Sequence, residues 1–336
     1  MNWIPPERIL LTGGHEIGGL QAFAEALQDG FGELGYPAEI IQPRALFSHM
    51  RDLRSLRVLK ILSTTGMFAG PIARRALCMV HASPLVYDQG WLTTGVLLAC
   101  YKMANMCSAQ LVSVSDYLAV HMRAFYGVNV DAVVRNPVKP IYLQPYFDSG
   151  APRDYITYVG RLVAYKNVDR IVPPIVDLLN ESPELKACVI GDGPERSRLQ
   201  ELAGGHPRFE FRGQPSDQDV KQQLRRTKVF VSSHVTEGFG ITYVEALSQG
   251  CVVAMPGSGG GVEIALDRVG ESVQLLPISL DSHEVLAVLR RALTIQPSPM
   301  PIECYRARNV AQAYLEVDRR FFPQPATQAQ AARAHN

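Results

Sequence analysis

The chain has 336 residues, 47% of them hydrophobic and 19% charged, and its 33 Lys+Arg against 32 Asp+Glu leave a formal net charge of +1. This balance excludes disorder as the main state and excludes the one-signed charge of a polybasic nucleic-acid binder, so no nucleic-acid partner is expected. The length exceeds one ordinary core and suits two domains of roughly 150 residues each.

Arg8 to Gly14 (RILLTGG) reads as a buried strand, and Gly18 to Leu34 carries Leu20, Phe23, Ala24, Leu27 and Phe31 at helical spacing. AEIIQ, VLKILS, LCMVHA, QLVSVS and DAVVRN follow as short strands with helical segments between several of them. That alternation predicts a doubly wound α/β domain over residues 1–140. The segment NPVKPIYLQPYFDSGAPRDY is rich in Pro and has no helical period, so residues 141–154 read as a linker. Alternation restarts with YITYVG, KACVIGDG, RFEFRG, KVFVSS, CVVAMP and VQLLP, predicting a second α/β domain over 155–300. Ile302 to Phe321 has a helical period, giving a C-terminal helix over 301–322, and the remaining 323–336 read as a disordered tail.

Six cysteines at 78, 100, 107, 188, 251 and 304 include no C-x2-C pair, which argues against a zinc ribbon and for buried, reduced thiols. The start, MNWIPPERILLTGG, lacks a signal-peptide pattern, and the longest apolar run, Gly95 to Cys100, is too short to span a bilayer. The expectation is a cytoplasmic protein. Peripheral contact with the inner membrane face stays open, because RDLRSLRVLK places Arg51, Arg54, Arg57 and Lys60 close together. A solvated helix face is the plainer reading of that run.

The chemistry-bearing segments each follow a predicted strand. In VSSHVTEGFGITYVEALSQG, two glycines in a tight loop before a helix let the backbone approach an anion, and Glu237 and Glu245 form an E-x7-E pair. Gly240 or Ile241 opens the helix. In YVGRLVAYKNVDRIV, Arg161 and Lys166 lie five residues apart, with Lys166 opening the next helix. A guanidinium fork and an ammonium at that spacing suit a diphosphate. VIGDGPERSRLQEL supplies a Gly191-Asp192-Gly193-Pro194 turn, and FRGQ supplies Gly213 and Gln214; each is a weak signal alone.

The order of these motifs, G-R-x4-K, G-D-G-P-E, R-G, E-G-F-G-x4-E and G-G-G-x-E, resembles the C-terminal domain of the retaining GT-B glycosyltransferases of family four (group 1) over about Tyr155 to Glu263. Gly13 to Gly19 (GGHEIGG) looks like that family's first glycine-rich loop, and VHASP looks like the strand end that carries its active-site histidine. The resemblance implies a GT-B fold, two Rossmann-like domains with parallel sheets facing a cleft. It implies a metal-independent hexosyltransferase that moves a sugar from a nucleotide-diphosphate donor to an acceptor hydroxyl with retention. The donor is a substrate, and no cofactor or metal is expected.

By the same resemblance, Arg161 and Lys166 hold the diphosphate, Glu237 touches the transferred sugar, and Glu245 takes the ribose hydroxyls. His81 contacts the sugar at the reacting centre. Gly18 and Gly19 lie under the phosphates, and Gly238, Phe239, Gly240 and Ile241 bind phosphate or sugar through the backbone. Residues around Gly193 and Gly213-Gln214 flank the base. Two rivals remain within the fold: a nucleotide-sugar 2-epimerase and a degenerate, non-catalytic subunit. A nicotinamide oxidoreductase is disfavoured because the first loop is not G-x-G-x-x-G. Base, sugar, acceptor and oligomeric state are not legible.

Overall fold

The apolar runs form two six-stranded parallel sheets in the computed structural model, which describes residues 3–13, 19–63, 66–84, 91–107, 109–144, 150, 152–296 and 298–323. The chain divides into two units. The first comprises residues 1–139 and 303–336, and the second residues 140–302.

The first unit holds β1 (Arg8–Thr12), β2 (Ala38–Ile41), β3 (Val58–Leu62), β4 (Ala76–Val80), β5 (Gln110–Ser113) and β6 (Ala132–Val133) in the order β2-β1-β3-β4-β5-β6. β3 and β4 are buried at every position, as strands covered on both faces must be. The expected strand DAVVRN is cut to two residues at the sheet edge, where one neighbour is missing. Its helices are α1 (Gly19–Glu33), α2 (Met50–Arg54), α3 (Trp91–Met106) and α4 (Asp116–Tyr126). Ser115 caps α4 by accepting from the Leu118 N–H, and Gly127 ends it in the left-handed region at φ 63°.

The second unit holds β7 (Tyr155–Val159), β8 (Lys186–Ile190), β9 (Phe209–Arg212), β10 (Thr227–Val231), β11 (Val252–Pro256) and β12 (Val273–Leu276) in the order β12-β11-β10-β7-β8-β9. Its helices are α5 (Val172–Glu181), α6 (Arg196–Leu202), α7 (Asp217–Arg226), α8 (Ile241–Ser248), α9 (Gly261–Ala265) and α10 (Ser282–Thr294). One core joins Ile156, Val189 and Val229 of the strands to Ile175 and Leu179 of α5 and Val285 and Leu289 of α10. Part of the expected linker is fastened to this unit. Tyr142 is buried, and Lys221 Nζ on α7 donates to the Ile141 carbonyl (2.5 Å) and to Gln144 Oε1 (3.2 Å).

After Ile302 the chain returns to the first unit. A short 3-10 turn (Glu303–Tyr305) leads into α11 (Ala307–Phe321), which packs on α1. The two backbones approach so closely at Gly30 that a β-carbon there would lie 2.3 Å from the Ala307 carbonyl oxygen. Asp318 of α11 is 0% exposed and meets Arg75, 1% exposed, in a two-pronged pair: Nε to Oδ1 at 2.8 Å and Nη2 to Oδ2 at 2.6 Å. Arg75 also donates to the Leu56 and Ile4 carbonyls, and Trp3 Nε1 donates to Asp318 Oδ2 (2.7 Å). Four of the five guanidinium N–H groups and both carboxylate oxygens therefore have partners. The predicted tail from residue 324 lies outside the described residues.

Two expectations need correction. The basic run 51–60 is not one face: Arg51 and Arg54 are exposed on α2, whereas Lys60 lies in β3 and is fully buried. Its ammonium donates to the Ser55, Val58 and Arg74 carbonyls. Burial and the nearby Arg75 charge lower the Lys60 pKa to about 7. The cysteines are all free, but only Cys78, Cys188 and Cys251 are buried, each thiol pushed up to about 12 by burial; Cys107 and Cys304 are exposed. Among the described residues no helix is long and apolar enough to cross a membrane.

Candidate functional site

Strand order fixes where a site forms. In the second unit the chain runs from β7 outward to β9, then resumes on the other side with β10. The reversal leaves a crevice beyond the carboxyl ends of β7 and β10, where ligands of such sheets bind. The loop after β7 carries Arg161 and Lys166, and the loop after β10 carries His234 and Glu237. Lys166 does not open a helix as expected. It ends a 3-10 turn (Ala164–Lys166), followed by Asn167 in the left-handed region at φ 53°, and α5 starts only at Val172. The detour turns the ammonium back over the sheet end.

Three groups meet there. Lys166 Nζ lies 2.9 Å from Glu237 Oε2 and 2.9 Å from His234 Nδ1, and His234 Nδ1 lies 3.1 Å from Glu237 Oε2. Their side chains are 17% (Lys166), 25% (Glu237) and 10% (His234) exposed, so the cluster is sheltered yet reachable. Burial alone would raise the Glu237 carboxyl. A hydrogen bond and charge from His234 when Nδ1 carries a proton, and the charge and hydrogen bond of Lys166, outweigh it and hold the carboxyl well below the usual range. Tyr165 packs its ring on His234 (centroids 5.5 Å) and lies under the Arg161 guanidinium (5.8 Å), with a hydrogen bond from Arg161 to its hydroxyl. Arg161 is therefore tethered at the outer rim of the cluster rather than inside it.

Glu245 is on α8 as expected, and it is buried. Gly240 precedes α8 at φ 87°, a conformation that only glycine adopts without strain. Gly238 and Phe239 are buried, Ile241 is half-buried, and the Gly260 N–H donates to the Glu237 carbonyl (2.7 Å), fixing the loop beneath the carboxylate. Gly193 stands at φ 155°, where a β-carbon would lie 2.2 Å from the Leu162 oxygen, so the G-D-G-P turn is pressed against the Arg161 loop. Gly213 and Gln214 follow β9 on the same sheet end; the Gly213 carbonyl accepts from Gly191 N–H.

In the first unit, His81 follows β4. Burial lowers its pKa to about 4, so the ring is neutral at ordinary pH, and Phe23 meets it edge-on at 4.6 Å. Its buried Nε2 has no hydrogen-bond partner among the described residues. Gly19 begins α1, while Gly18 lies outside the described residues. Sequence reasoning missed His234 and Tyr165. The three-residue spacing of His234 from Glu237 just past a strand was the available signal.

Residues 147–298 match the family model described as "Glycosyl transferases group 1". The chain is 27% identical over 168 residues to a phosphatidylinositol N-acetylglucosaminyltransferase subunit of Arabidopsis thaliana, covering 49% of this chain and 36% of that protein. It therefore spans about a third of that relative. It is 25% identical over 272 residues to a 2-deoxystreptamine glucosyltransferase of Streptomyces kanamyceticus, covering 72% and 68%. Among solved structures, Anabaena Alr3699/HepE in complex with UDP and glucose superposes with a TM-score of 0.63 at 14% identity, covering 98% of this chain and 99% of that one. That likeness shows the same fold.

Proposed function

Since residues 147–298 belong to the group 1 glycosyltransferases and the chain has the GT-B fold, we propose that the protein transfers a sugar from a nucleotide-diphosphate donor to an acceptor hydroxyl, without a metal and with retention. The observation that carries this reading is the Lys166–Glu237–His234 cluster at the sheet's switch point. Lys166 and Arg161 stabilise the charge that grows on the diphosphate as the anomeric carbon–oxygen bond breaks. The bonding pair leaves with the phosphate oxygen. The acceptor oxygen bonds to the same face of the anomeric carbon, and its proton passes to that phosphate oxygen. Glu237, held ionised, accepts hydrogen bonds from the sugar hydroxyls, and Glu245 takes the ribose. His81 is assigned to the substrate from its motif position and its unpartnered Nε2. Among the described residues no group of three His, Cys, Asp or Glu is placed to hold a metal ion.

Thermal unfolding with UDP, GDP, ADP, TDP and CDP tests the donor site. A ligand at about 100 times its Kd adds about 2.7 kcal/mol to native stability, which raises Tm by a few degrees in a chain of this size. A shift with one nucleotide that Lys166→Ala and Glu245→Ala reduce is expected. No shift with any of them returns the degenerate, non-catalytic reading. Product formed on an acceptor excludes both that reading and the 2-epimerase.

For the acceptor, we infer presentation at an anionic lipid surface. Leu92, Val96, Ala99, Met103 and Met106 form one exposed apolar stripe along α3, whose only charge is Lys102. Phe68 and Ile72 are exposed on the 3-10 turn that packs against α3, and Phe47 continues the apolar surface (Phe47–Phe68 centroids 5.6 Å). Arg44, Arg51, Arg54 and Arg74 are exposed nearby without an ion pair among the described residues. An apolar ridge flanked by cations matches lipid tails beneath anionic headgroups, and the Arabidopsis relative is named for a phosphatidylinositol substrate. Co-sedimentation with phosphatidylcholine vesicles, with and without phosphatidylglycerol, is expected to show binding only to the anionic ones, abolished by Val96→Glu with Met103→Glu. A dimer that these substitutions dissociate, with no vesicle binding, overturns it.

A further inference from the structure

The Nδ1 atom of His234 faces two groups that make opposite demands. Lys166 Nζ, 2.9 Å away, can only donate, and Glu237 Oε2, 3.1 Å away, can only accept when ionised. One ring nitrogen carries either a lone pair or a proton. With the lone pair, His234 holds the Lys166 ammonium against itself and Glu237. With the proton, it donates to Glu237 and repels the ammonium. The two states differ in who partners Glu237 and in whether Lys166 is free to turn toward another anion.

Resting on the donor-site reading above, we infer that His234 is a positioning residue that takes up a proton when a nucleotide sugar binds, replacing Lys166 as the partner of Glu237 while Lys166 turns to the diphosphate. The proton comes from solvent and lands on the Nδ1 lone pair; Lys166 keeps its three protons and no covalent bond to carbon or phosphorus changes. On the other side of the ring, Nε2 lies 3.2 Å from Thr236 Oγ1, whose hydroxyl oxygen can accept from Nε2–H in both states. The remaining groups around the cluster do not supply the proton. Tyr165 packs on the ring with Arg161 beyond it, and the Tyr158 and Tyr243 phenols near Glu237 are pushed well above their usual range, chiefly by burial, so they stay neutral. Once the ammonium leaves, His234 is exposed to the Glu237 carboxylate and the incoming diphosphate, and both favour imidazolium.

Calorimetry tests this with UDP-glucose, GDP-mannose and ADP-glucose in turn, each titrated in two buffers of different ionisation enthalpy near pH 7.5. A nucleotide sugar has no terminal phosphate that titrates in this range, so buffer-dependent heat reports on the protein. Uptake approaching one proton is expected, with Kd rising by up to about tenfold per pH unit as pH is raised. His234→Asn keeps a polar atom near the Nδ1 position but cannot ionise, and should abolish the uptake and flatten the pH dependence. Binding without uptake, or uptake that survives His234→Asn, overturns the inference while leaving the transferase reading intact. If no nucleotide sugar binds, the transferase reading fails instead. The imidazole 15N shifts of the free protein then still decide the resting state: Nδ1 is expected to be unprotonated near pH 7.5, and a protonated Nδ1 overturns the inference.

Discussion

Lys166 is the cation of the site with the most to lose by substitution. It is largely enclosed and sits against both Glu237 and His234, whereas Arg161 is tied to Tyr165 at the rim. Lys166→Ala is expected to lower kcat by about 10²–10³, the cost of one preorganised charge-stabilising donor, read from steady-state rates at saturating donor. Glu237 gives a second expectation. Its folded pKa is depressed, so its contribution to stability is fully present above the unfolded value of about 4.3 and is lost only as pH falls through the folded value. Glu237 should therefore add no acid limb to the rate profile between about pH 5 and 8. A kcat profile whose limb in that range disappears in Glu237→Gln would contradict this. Arg161, Lys166 and Glu237 were visible in the sequence because strand ends and glycines mark their loops. His234 was not, because its role depends on a lysine 68 residues away, and no local pattern announces that meeting.

At the level of elements, the contact between α1 and α11 decides the sign of a substitution that propensity alone would misjudge. In an isolated helix, Gly to Ala gains about 1 kcal/mol. At Gly30 the added carbon would meet the Ala307 backbone oxygen at 2.3 Å, and backbone has no rotamer with which to retreat. Gly30→Ala is expected to destabilise the protein by about 1–3 kcal/mol through overpacking, measured by urea unfolding; stabilisation would mean that the helices slide apart freely. The strands were legible because runs such as VLKIL and ALCMV are buried on both faces and read as unbroken apolar stretches. The Lys166 segment misled because the Ala164–Lys166 turn has no sequence mark that separates it from a helix start.

Across the whole molecule, the Arg75–Asp318 pair joins residues 243 positions apart. Both are fully buried, and a charge left there alone costs far more than the pair is worth. Asp318→Ala should lower stability by about 3–5 kcal/mol, seen in calorimetry as an earlier transition, while replacing the two together by Leu and Met should recover much of the loss. Neither partner could be matched from sequence, since each lies within an ordinary-looking element and the pairing exists only after the chain has returned.

That return makes the second unit, residues 140–302, an insertion within the first. On the ribosome the N-terminal sheet emerges early but lacks α11, and Arg75 waits without its carboxylate until residue 318 is made. The inserted unit has its whole core by residue 302. At about 5–20 residues per second, it has a head start of one to several seconds over the completion of its host. A helix made only after residue 302 is thus the keystone of the unit begun before residue 140, and a ribosome that stalls or a message cut short near residue 300 would release a finished second unit attached to an unfinished first one.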